Sequence, residues 1–240
     1  MTKRLIVFQH GPLDGTGALL LDSARRHKTQ LTIIEVWHQP IPALTPYAGL
    51  IVLGGGANIN QERRYPFLRT EKERIAASIA EDRPYLGFCL GHQLLAEAMG
   101  AKIGDNLRAS LGVIRGFLTH MGREHGIFAG FEKTMPLFKW HTQMVHEPLP
   151  APLQILATSA DCPVEAISVR DRPHLVGLQS DSYAADPADV AAWLAKDERW
   201  LAGLNNGEID PTAILTHVQR YREALRDDFA RLFTNFLKYT

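Results

Sequence analysis

The sequence lacks excess positive charge, long apolar runs and numerous cysteines, the features typical of nucleic-acid-binding, membrane and disulfide-rich proteins. Lys and Arg together number 26, and so do Asp and Glu, which gives a formal net charge of zero. Such a balance does not favour binding to nucleic acid or to an acidic lipid surface. No apolar run approaches the roughly 18 residues of a membrane-spanning helix. The two cysteines, Cys89 and Cys162, are too few for a disulfide framework in 240 residues. We predict a cytoplasmic protein with two free thiols.

The composition is otherwise that of an ordinary globular protein. Hydrophobic residues make up 45% of the chain and charged residues 22%, which is enough apolar material for one large core. There is no repeat, no low-complexity tract and no linker that would divide the chain. We therefore expect a single domain over residues 1–240, with a helical segment at about 184–240 that packs back on the core.

The first hundred residues alternate short apolar runs with helical patterns. The apolar runs predict strands at 5–8, 31–36, 50–53 and 84–88, and the spacing between them predicts helices at about 17–27, 69–81 and 90–99. Strands that are apolar throughout and separated by helices indicate a parallel sheet covered on both faces. Further short β runs are predicted at 112–119, 153–158, 164–169 and 175–178, before helices near 190 and over 214–237.

The strongest chemical signal is the segment from Gly87 to Gln93. Cys89 lies between a predicted strand and a predicted helix, with Gly87 two residues before it and Gly91 two residues after it. This spacing is that of a nucleophile elbow, in which a sharp turn leaves a nucleophile exposed at a helix N-terminus. The helix dipole there favours a thiolate, and the free N–H of Leu90 can donate to an oxyanion.

The segment Gly-Phe-Cys-Leu-Gly-His-Gln-Leu-Leu-Ala over 87–96 resembles the nucleophile signature of class I glutamine amidotransferases, in particular the subgroup similar to the amidotransferase domain of GMP synthase. Three further segments resemble motifs of the same family in the same order: Leu53–Gly56 with Tyr65–Leu68, Trp140–Gln143 and Gly177–Gln179. The resemblance spans about residues 5–183. It implies a flavodoxin-like α/β fold, a three-layer sandwich with a mostly parallel central sheet and helices on both faces.

The resemblance also implies a chemistry, the hydrolysis of the glutamine amide through a γ-glutamyl thioester. Cys89 would be the nucleophile, and the N–H groups of Leu90 and Gly55 would form the oxyanion hole. The residues implied to contact the substrate are Gly55, Gly56, Leu90, Gln93, His141 and Thr142. No cofactor and no metal is predicted, and the substrate is glutamine or a γ-glutamyl compound. Because no synthetase domain is expected, the ammonia would pass to a separate synthetase subunit or be released.

The closing motif of the family is altered in this sequence. Asp181 stands where the family has its catalytic histidine, and Tyr183 stands where it has a glutamate. An aspartate with a pKa near 4 is a weak base, and its charge would raise the pKa of the thiol. Three functions therefore stay open: a weak glutaminase, a catalytically impaired pseudoenzyme that binds a ligand or regulates a partner, or another cysteine hydrolase in which Asp181 orients the substrate.

Three histidines are candidates for a substitute base. His141, which we expect in a loop beside the glutamine pocket, is the best of them; His10 is expected to face the crevice at the end of the first strand, and His92 lies one turn after the nucleophile. We predict that the remaining candidates have no catalytic role. These are the surface loop residues His120, His125 and His146, and Cys162, which we expect to be a half-buried, unreactive thiol.

Overall fold

The computed structural model describes residues 2–12, 14–204 and 209–240. Its first half confirms the predicted alternation of strands and helices. The strands are β1 (Arg4–Gln9), β2 (Gln30–Glu35), β3 (Gly49–Val52) and β4 (Tyr85–Phe88). The helices are α1 (Ala18–Arg26), α2 (Phe67–Ala80) and α3 (Leu90–Ala98).

The second half of the chain contains more strand than the sequence predicts. Its strands are β5 (Lys102–Leu118), β6 (Thr134–His146), β7 (Leu153–Ser159), β8 (Ala166–Val169) and β9 (Arg172–Leu178). Its helices are α4 (His120–Glu124), α5 (Pro187–Lys196), α6 (Glu198–Ala202) and α7 (Pro211–Phe236). Strand β6 is absent from the prediction, and β5 begins ten residues earlier than predicted.

Within the described residues the strands form one sheet in the order β2-β1-β3-β4-β9-β8-β7-β5-β6. The four pairings from β2 to β9 are parallel, and the four from β9 to β6 are antiparallel. The sheet is therefore mixed, and the expectation of a mostly parallel sheet is wrong. Strands β5, β6 and β7 follow one another in the chain without a crossover helix of the kind that joins parallel neighbours, which favours antiparallel pairing among them.

Helices cover both faces of the sheet, as predicted. Along β1, Leu5 and Val7 point to one apolar cluster, and Ile6 and Phe8 point to the other. The first cluster packs against α1, α5 and α7, and the second packs against α2 and α3. This three-layer arrangement explains why β1, β3 and β4 are rich in apolar residues, since both faces of each strand are buried.

The terminal helix α7 packs on the sheet through one apolar stripe. Its buried residues Phe229, Leu232, Phe233 and Phe236 belong to the same cluster as Leu5 of β1. The Asn235 side chain adds two hydrogen bonds, to the backbone oxygens of Ile127 at 3.0 Å and of Ala129 at 2.9 Å. Among the described residues, no helix is both long enough and apolar enough to cross a membrane.

Candidate active site

The candidate site lies where the carboxyl ends of the parallel strands meet. β1 leads to His10, β3 to the glycine segment Gly54–Gly56, β4 to Cys89, and β9 to Asp181. Ligands of open α/β sheets bind at this edge, because the loops that follow parallel strands diverge there. The topology therefore brings together segments that are far apart in the sequence.

Cys89 has the strained backbone of a nucleophile elbow. Its φ of 45° and ψ of −101° lie outside the regions that L-residues ordinarily occupy. Its N–H donates to the Leu178 oxygen of the adjacent strand at 2.8 Å, and its own oxygen accepts from Gln93 N at 3.0 Å, so the turn is held from both sides. The predicted strand–turn–helix context of Cys89 is present.

The two glycines of the elbow allow the helix to approach the sheet closely. A Cβ placed on Gly91 would lie 2.3 Å from the Val52 oxygen of β3, and one on Gly87 would lie 2.5 Å from the backbone of Gly91. The Tyr85 hydroxyl donates to the Gly91 oxygen at 2.7 Å and fixes the first turn of α3. These contacts show why only glycine fits at both positions.

The Cys89 thiol lies between an amide donor and a carboxyl group. The Leu90 N–H and the Asp181 carboxyl are both close enough to act on its pKa, and only 6% of the residue is exposed. Burial raises the pKa of the Cys89 thiol well above its usual value, and the neighbouring Asp181 carboxylate raises it further. The Leu90 N–H lowers the pKa but does not offset these effects. The helix N-terminus therefore favours the thiolate, as expected, but burial and the Asp181 carboxylate outweigh it.

Asp181 is also strongly perturbed. It is almost fully buried, and burial raises the pKa of its carboxyl group well above the usual value, against the lowering effect of the hydrogen bond from Cys89. The premise of a carboxyl group with a pKa near 4 is therefore wrong, because desolvation makes Asp181 a stronger base than an aspartate in water. Its N–H donates to the Phe138 oxygen of β6 at 2.8 Å, which fixes the position of the backbone that carries the side chain. The Asp181 Oδ1 atom has no hydrogen-bond partner among the described residues.

Gly54, beside the predicted oxyanion hole, has hydrogen bonds at both its backbone N–H and its backbone oxygen. Its N–H donates to the Tyr183 hydroxyl at 3.2 Å, and its oxygen lies 3.0 Å from His10 Nδ1. The N–H of Gly54 is therefore in use, whereas the N–H groups of Gly55 and Leu90 remain as the predicted oxyanion donors. Tyr183 itself is fully buried, and burial raises the pKa of its hydroxyl.

His10 does not face the crevice, contrary to expectation. Its side chain is completely buried, with Nε2 2.8 Å from Glu71 Oε1 of α2 and Nδ1 at the Gly54 oxygen. Both partners offer acceptor atoms, an arrangement that favours protonation of both ring nitrogens. The Glu71 carboxylate raises the pKa of His10 above its ordinary value, against the lowering effect of burial. His10 therefore positions the glycine segment and is not a base for Cys89.

Replacing Glu71 by Gln should reduce the stability of the domain by about 1.5–3 kcal/mol, the usual contribution of a hydrogen bond to a charged group. Because the folded-state pKa of His10 is raised, the stabilisation is fully present below the unfolded pKa of about 6.5 and is lost as the pH rises through the folded value. Urea unfolding of the wild type and Glu71→Gln at pH 6 and pH 9 measures this. A stability difference that is larger at pH 9 than at pH 6 would contradict the ion pair.

The residues implied to hold glutamine line the same pocket as Asp181. Gln93 Nε2 donates to the Gln143 oxygen at 2.9 Å and to Gln179 Oε1 at 3.3 Å. His141 and Thr142 lie on β6 and not in a loop, so that expectation is wrong. Burial lowers the pKa of His141 to about 3, and its Nδ1 contacts the Gln143 oxygen at 3.0 Å. A ring with so low a pKa is a poor substitute for the missing base.

The other histidines and Cys162 are not in the pocket. His92 is fully buried against Gly177, and burial lowers its pKa to about 4. His125 is buried, contrary to prediction, and its Nδ1 accepts from Ile127 N at 3.2 Å; burial lowers its pKa to about 4 as well. His120 is exposed at the start of α4, and His146 is half-buried in β6. Both cysteines are free, but Cys162 is fully and not half buried.

A pocket of about 410 Å³ lies in front of Cys89. Its lining includes Gln93, His141 and Thr142, together with Gly55 and Gly56 of the glycine segment. It also includes residues that the sequence did not connect with the site: Asp14, Trp193, Lys196, Asp197 and Trp200. No local signal marks these residues, because Asp14 lies in the loop after β1 and the other four reach the pocket only through the return of α5 and α6.

Fold and site together define an α/β protein with a thiol at a nucleophile elbow, facing a pocket at the carboxyl ends of its parallel strands. The sequence model of the family "Glutamine amidotransferase class-I" matches residues 15–180, more than half of the chain. The chain therefore belongs to the class I glutamine amidotransferase family.

Individual relatives agree with this assignment. The chain is 34% identical over 157 residues to one subunit of a glutamine-hydrolysing GMP synthase from Pyrococcus abyssi, and the match covers 62% of this chain and 77% of the relative. The corresponding protein from Thermococcus kodakarensis is 30% identical over 141 residues, covering 59% of this chain and 68% of the relative. These two relatives support the predicted likeness to the GMP synthase subgroup.

Solved structures of the same class have the same fold. A glutamine amidotransferase from Thermotoga maritima superposes with a TM-score of 0.87 at 21% identity, covering 99% of each chain. One from Methylobacillus flagellatus has a TM-score of 0.85 at 23% identity, covering 100% of this chain and 96% of the other. At these identities the likeness establishes the fold alone.

Proposed function

We propose that this protein hydrolyses the side-chain amide of glutamine or of a γ-glutamyl compound, slowly, with Cys89 as the nucleophile. The observation that carries the proposal is the placement of the thiol at the pocket floor, between the Leu90 N–H and the Asp181 carboxyl. The first can stabilise an oxyanion, and the second can accept a proton.

The reaction follows from this arrangement. The amide oxygen is held by the N–H groups of Gly55 and Leu90 while Cys89 Sγ attacks the carbonyl carbon, and the thiol proton passes to the Asp181 carboxylate. The C–N bond then breaks, and the amine takes the proton from Asp181 as it leaves. Water attacks the γ-glutamyl thioester, releases glutamate and restores the thiol.

Slow turnover is expected because Asp181 replaces an imidazole. Burial raises the pKa of Asp181 and of Cys89 in the same direction, so burial does not by itself match the two groups for proton transfer. General acid–base catalysis by a well-matched group contributes roughly a hundred- to ten-thousand-fold to the rate. We expect this protein to lack most of this rate enhancement.

A second candidate is a pseudoenzyme that keeps the pocket to bind a ligand or regulate a partner. It is supported by the same pKa directions, since a protonated thiol beside a buried carboxyl group is a poor nucleophile. The relatives named as subunits of GMP synthases support a partner for this protein under either function. A hydrolase would pass ammonia to a separate synthetase, whereas a pseudoenzyme would regulate its partner.

Glutamate release from L-glutamine by purified wild type, Cys89→Ala and Cys162→Ala tests the proposal. We expect Cys89→Ala to lose all release above background, and Cys162→Ala to keep the wild-type rate, because Cys162 is a free thiol outside the pocket. Intact-mass analysis of the wild type during turnover should show a γ-glutamyl adduct on Cys89. Equal background from wild type and Cys89→Ala, with glutamine still binding by calorimetry, would contradict hydrolysis and favour the pseudoenzyme.

A further inference from the structure

A buried carboxylate is connected to the predicted oxyanion hole through a single side chain. Glu71 on α2 has its Oε1 atom 2.8 Å from Nε2 of His10, and neither side chain is exposed. The other ring nitrogen, Nδ1, lies 3.0 Å from the Gly54 oxygen. These groups therefore form a continuous chain of hydrogen bonds from α2 to the glycine segment that lines the pocket.

This chain ends on the peptide group that carries a predicted oxyanion donor. The Gly54 oxygen and the Gly55 N–H belong to one planar peptide group. The His10 side chain packs directly against that group, since a Cβ placed on Gly55 would lie 2.5 Å from His10 Cβ. A hydrogen bond to a peptide oxygen polarises the N–H of the same peptide, because hydrogen bonds in a chain strengthen one another. The contact with His10 therefore makes the Gly55 N–H a stronger donor.

The burial of Glu71 favours a positive charge on His10. The second oxygen of this carboxylate, Oε2, is buried and has no hydrogen-bond partner among the described residues. A carboxylate in the interior is costly without a cationic partner, and His10 is the residue in contact with it. Burial lowers the pKa of His10, but Glu71, the Gly54 oxygen and Asp14 in the loop after β1 together hold it above its ordinary value.

We propose that Glu71 and His10 are positioning residues for the oxyanion hole, and that they strengthen the Gly55 N–H as a donor to the substrate oxygen. This rests on the proposed hydrolysis at Cys89 and adds two residues to it that do not line the pocket. The carbonyl oxygen of the substrate gains negative charge as the sulfur attacks. A polarised N–H stabilises that charge more than it stabilises the neutral amide, so the effect falls on the transition state.

The variant Glu71→Gln tests the proposal, because it keeps the size of the side chain and removes its charge. For L-glutamine at pH 7 we expect kcat to fall about tenfold, less than the roughly hundred- to thousandfold for loss of a whole oxyanion donor, and KM to stay within about twofold. Glu73→Gln is the matched control, since Glu73 lies on the same helix, is exposed and does not line the pocket. It should change neither constant.

NMR of the free protein supplies a readout that does not need turnover. Both ring nitrogens of His10 should carry protons in the wild type at pH 7, and a ring with only one proton would overturn the inference. In Glu71→Gln the ring should lose one proton, and the Gly54 carbonyl carbon and the Gly55 amide proton should move to lower chemical shift. If circular dichroism shows that Glu71→Gln is unfolded, His10→Gln takes its place with the same expected changes in the two glycine signals, because its amide donates without a charge.

The two readouts separate this inference from the proposed hydrolysis. If the wild type releases no glutamate, but the Gly55 signal moves in Glu71→Gln and not in Glu73→Gln, the inference is supported and the hydrolysis is wrong. If wild type and Glu71→Gln release glutamate with equal kcat, or if kcat falls while the Gly55 signal stays in place, the inference is overturned and the hydrolysis stands. No release and no movement of the signal overturn both.

Discussion

The double substitution Asp181→His with Tyr183→Glu is expected to raise the rate of glutamine hydrolysis about a hundred- to ten-thousand-fold. A histidine at position 181 would stand beside the Cys89 thiol, where Asp181 now stands, and an imidazole accepts and returns a proton near neutral pH. A glutamate at position 183 would keep the pKa of that imidazole from falling through burial, as it falls for His92 and His141. The measurement is steady-state ammonia release at a fixed, mildly alkaline pH.

Two controls make this gain interpretable. Asp181→Asn removes the carboxylate without supplying a base and should not gain activity, and Cys89→Ala in the double-mutant background should abolish the gain. Because Tyr183 packs against Phe88 and Trp193, circular dichroism must first show that the double mutant is folded. A folded double mutant with the wild-type rate would mean that proton transfer is not what limits this protein.

Gly91→Ala is expected to destabilise the domain by about 3 kcal/mol or more, and to remove activity with it. Its Cβ would lie 2.3 Å from the Val52 oxygen, which is backbone in the middle of the sheet and cannot move aside. Helix α3 would have to shift away from β3, which would disturb both the packing and the elbow. Urea-induced unfolding followed by fluorescence gives the change in the free energy of unfolding.

Gly56→Ala is the matched control for the elbow glycine. Gly56 lines the pocket, but a Cβ on it would meet no atom within 4 Å, and its φ is not positive. Its effect on stability should stay within about 0.5 kcal/mol. Equal stabilities of the two alanine variants would show that α3 does not need the close approach to the sheet.

The first half of the fold could be predicted because its signals are local. Strands β1, β3 and β4 contain runs of apolar residues, and glycines mark the elbow within five residues. Strand β6 could not be recognised in this way. It contains Pro136, and its buried polar residues Lys139 and His141 break the apolar pattern that marks a strand. Those side chains are held by tertiary partners that the sequence does not show.

The candidate site could be predicted in its residues but not in its energetics. Cys89, Asp181, Tyr183 and Gln93 were placed by motif order, and the structure brings all four to one pocket. The raised pKa of Asp181 comes from burial within the folded domain, which no short window of sequence reveals. The ion pair of His10 with Glu71 joins residues 61 positions apart and has no spacing rule behind it.

The fixed backbone of Gly54 indicates that the oxyanion segment is ordered before a substrate binds. The Gly54 oxygen is bound by the buried His10 ring, and the Gly54 N–H is bound by the buried Tyr183 hydroxyl. The adjoining Gly55 amide therefore has its orientation set as the chain folds. A substrate carbonyl would then meet donors that are already aimed, and binding would not have to supply the entropy of ordering them. Neither of these two hydrogen bonds involves the thiol, so the shape of this segment does not depend on the chemistry at Cys89.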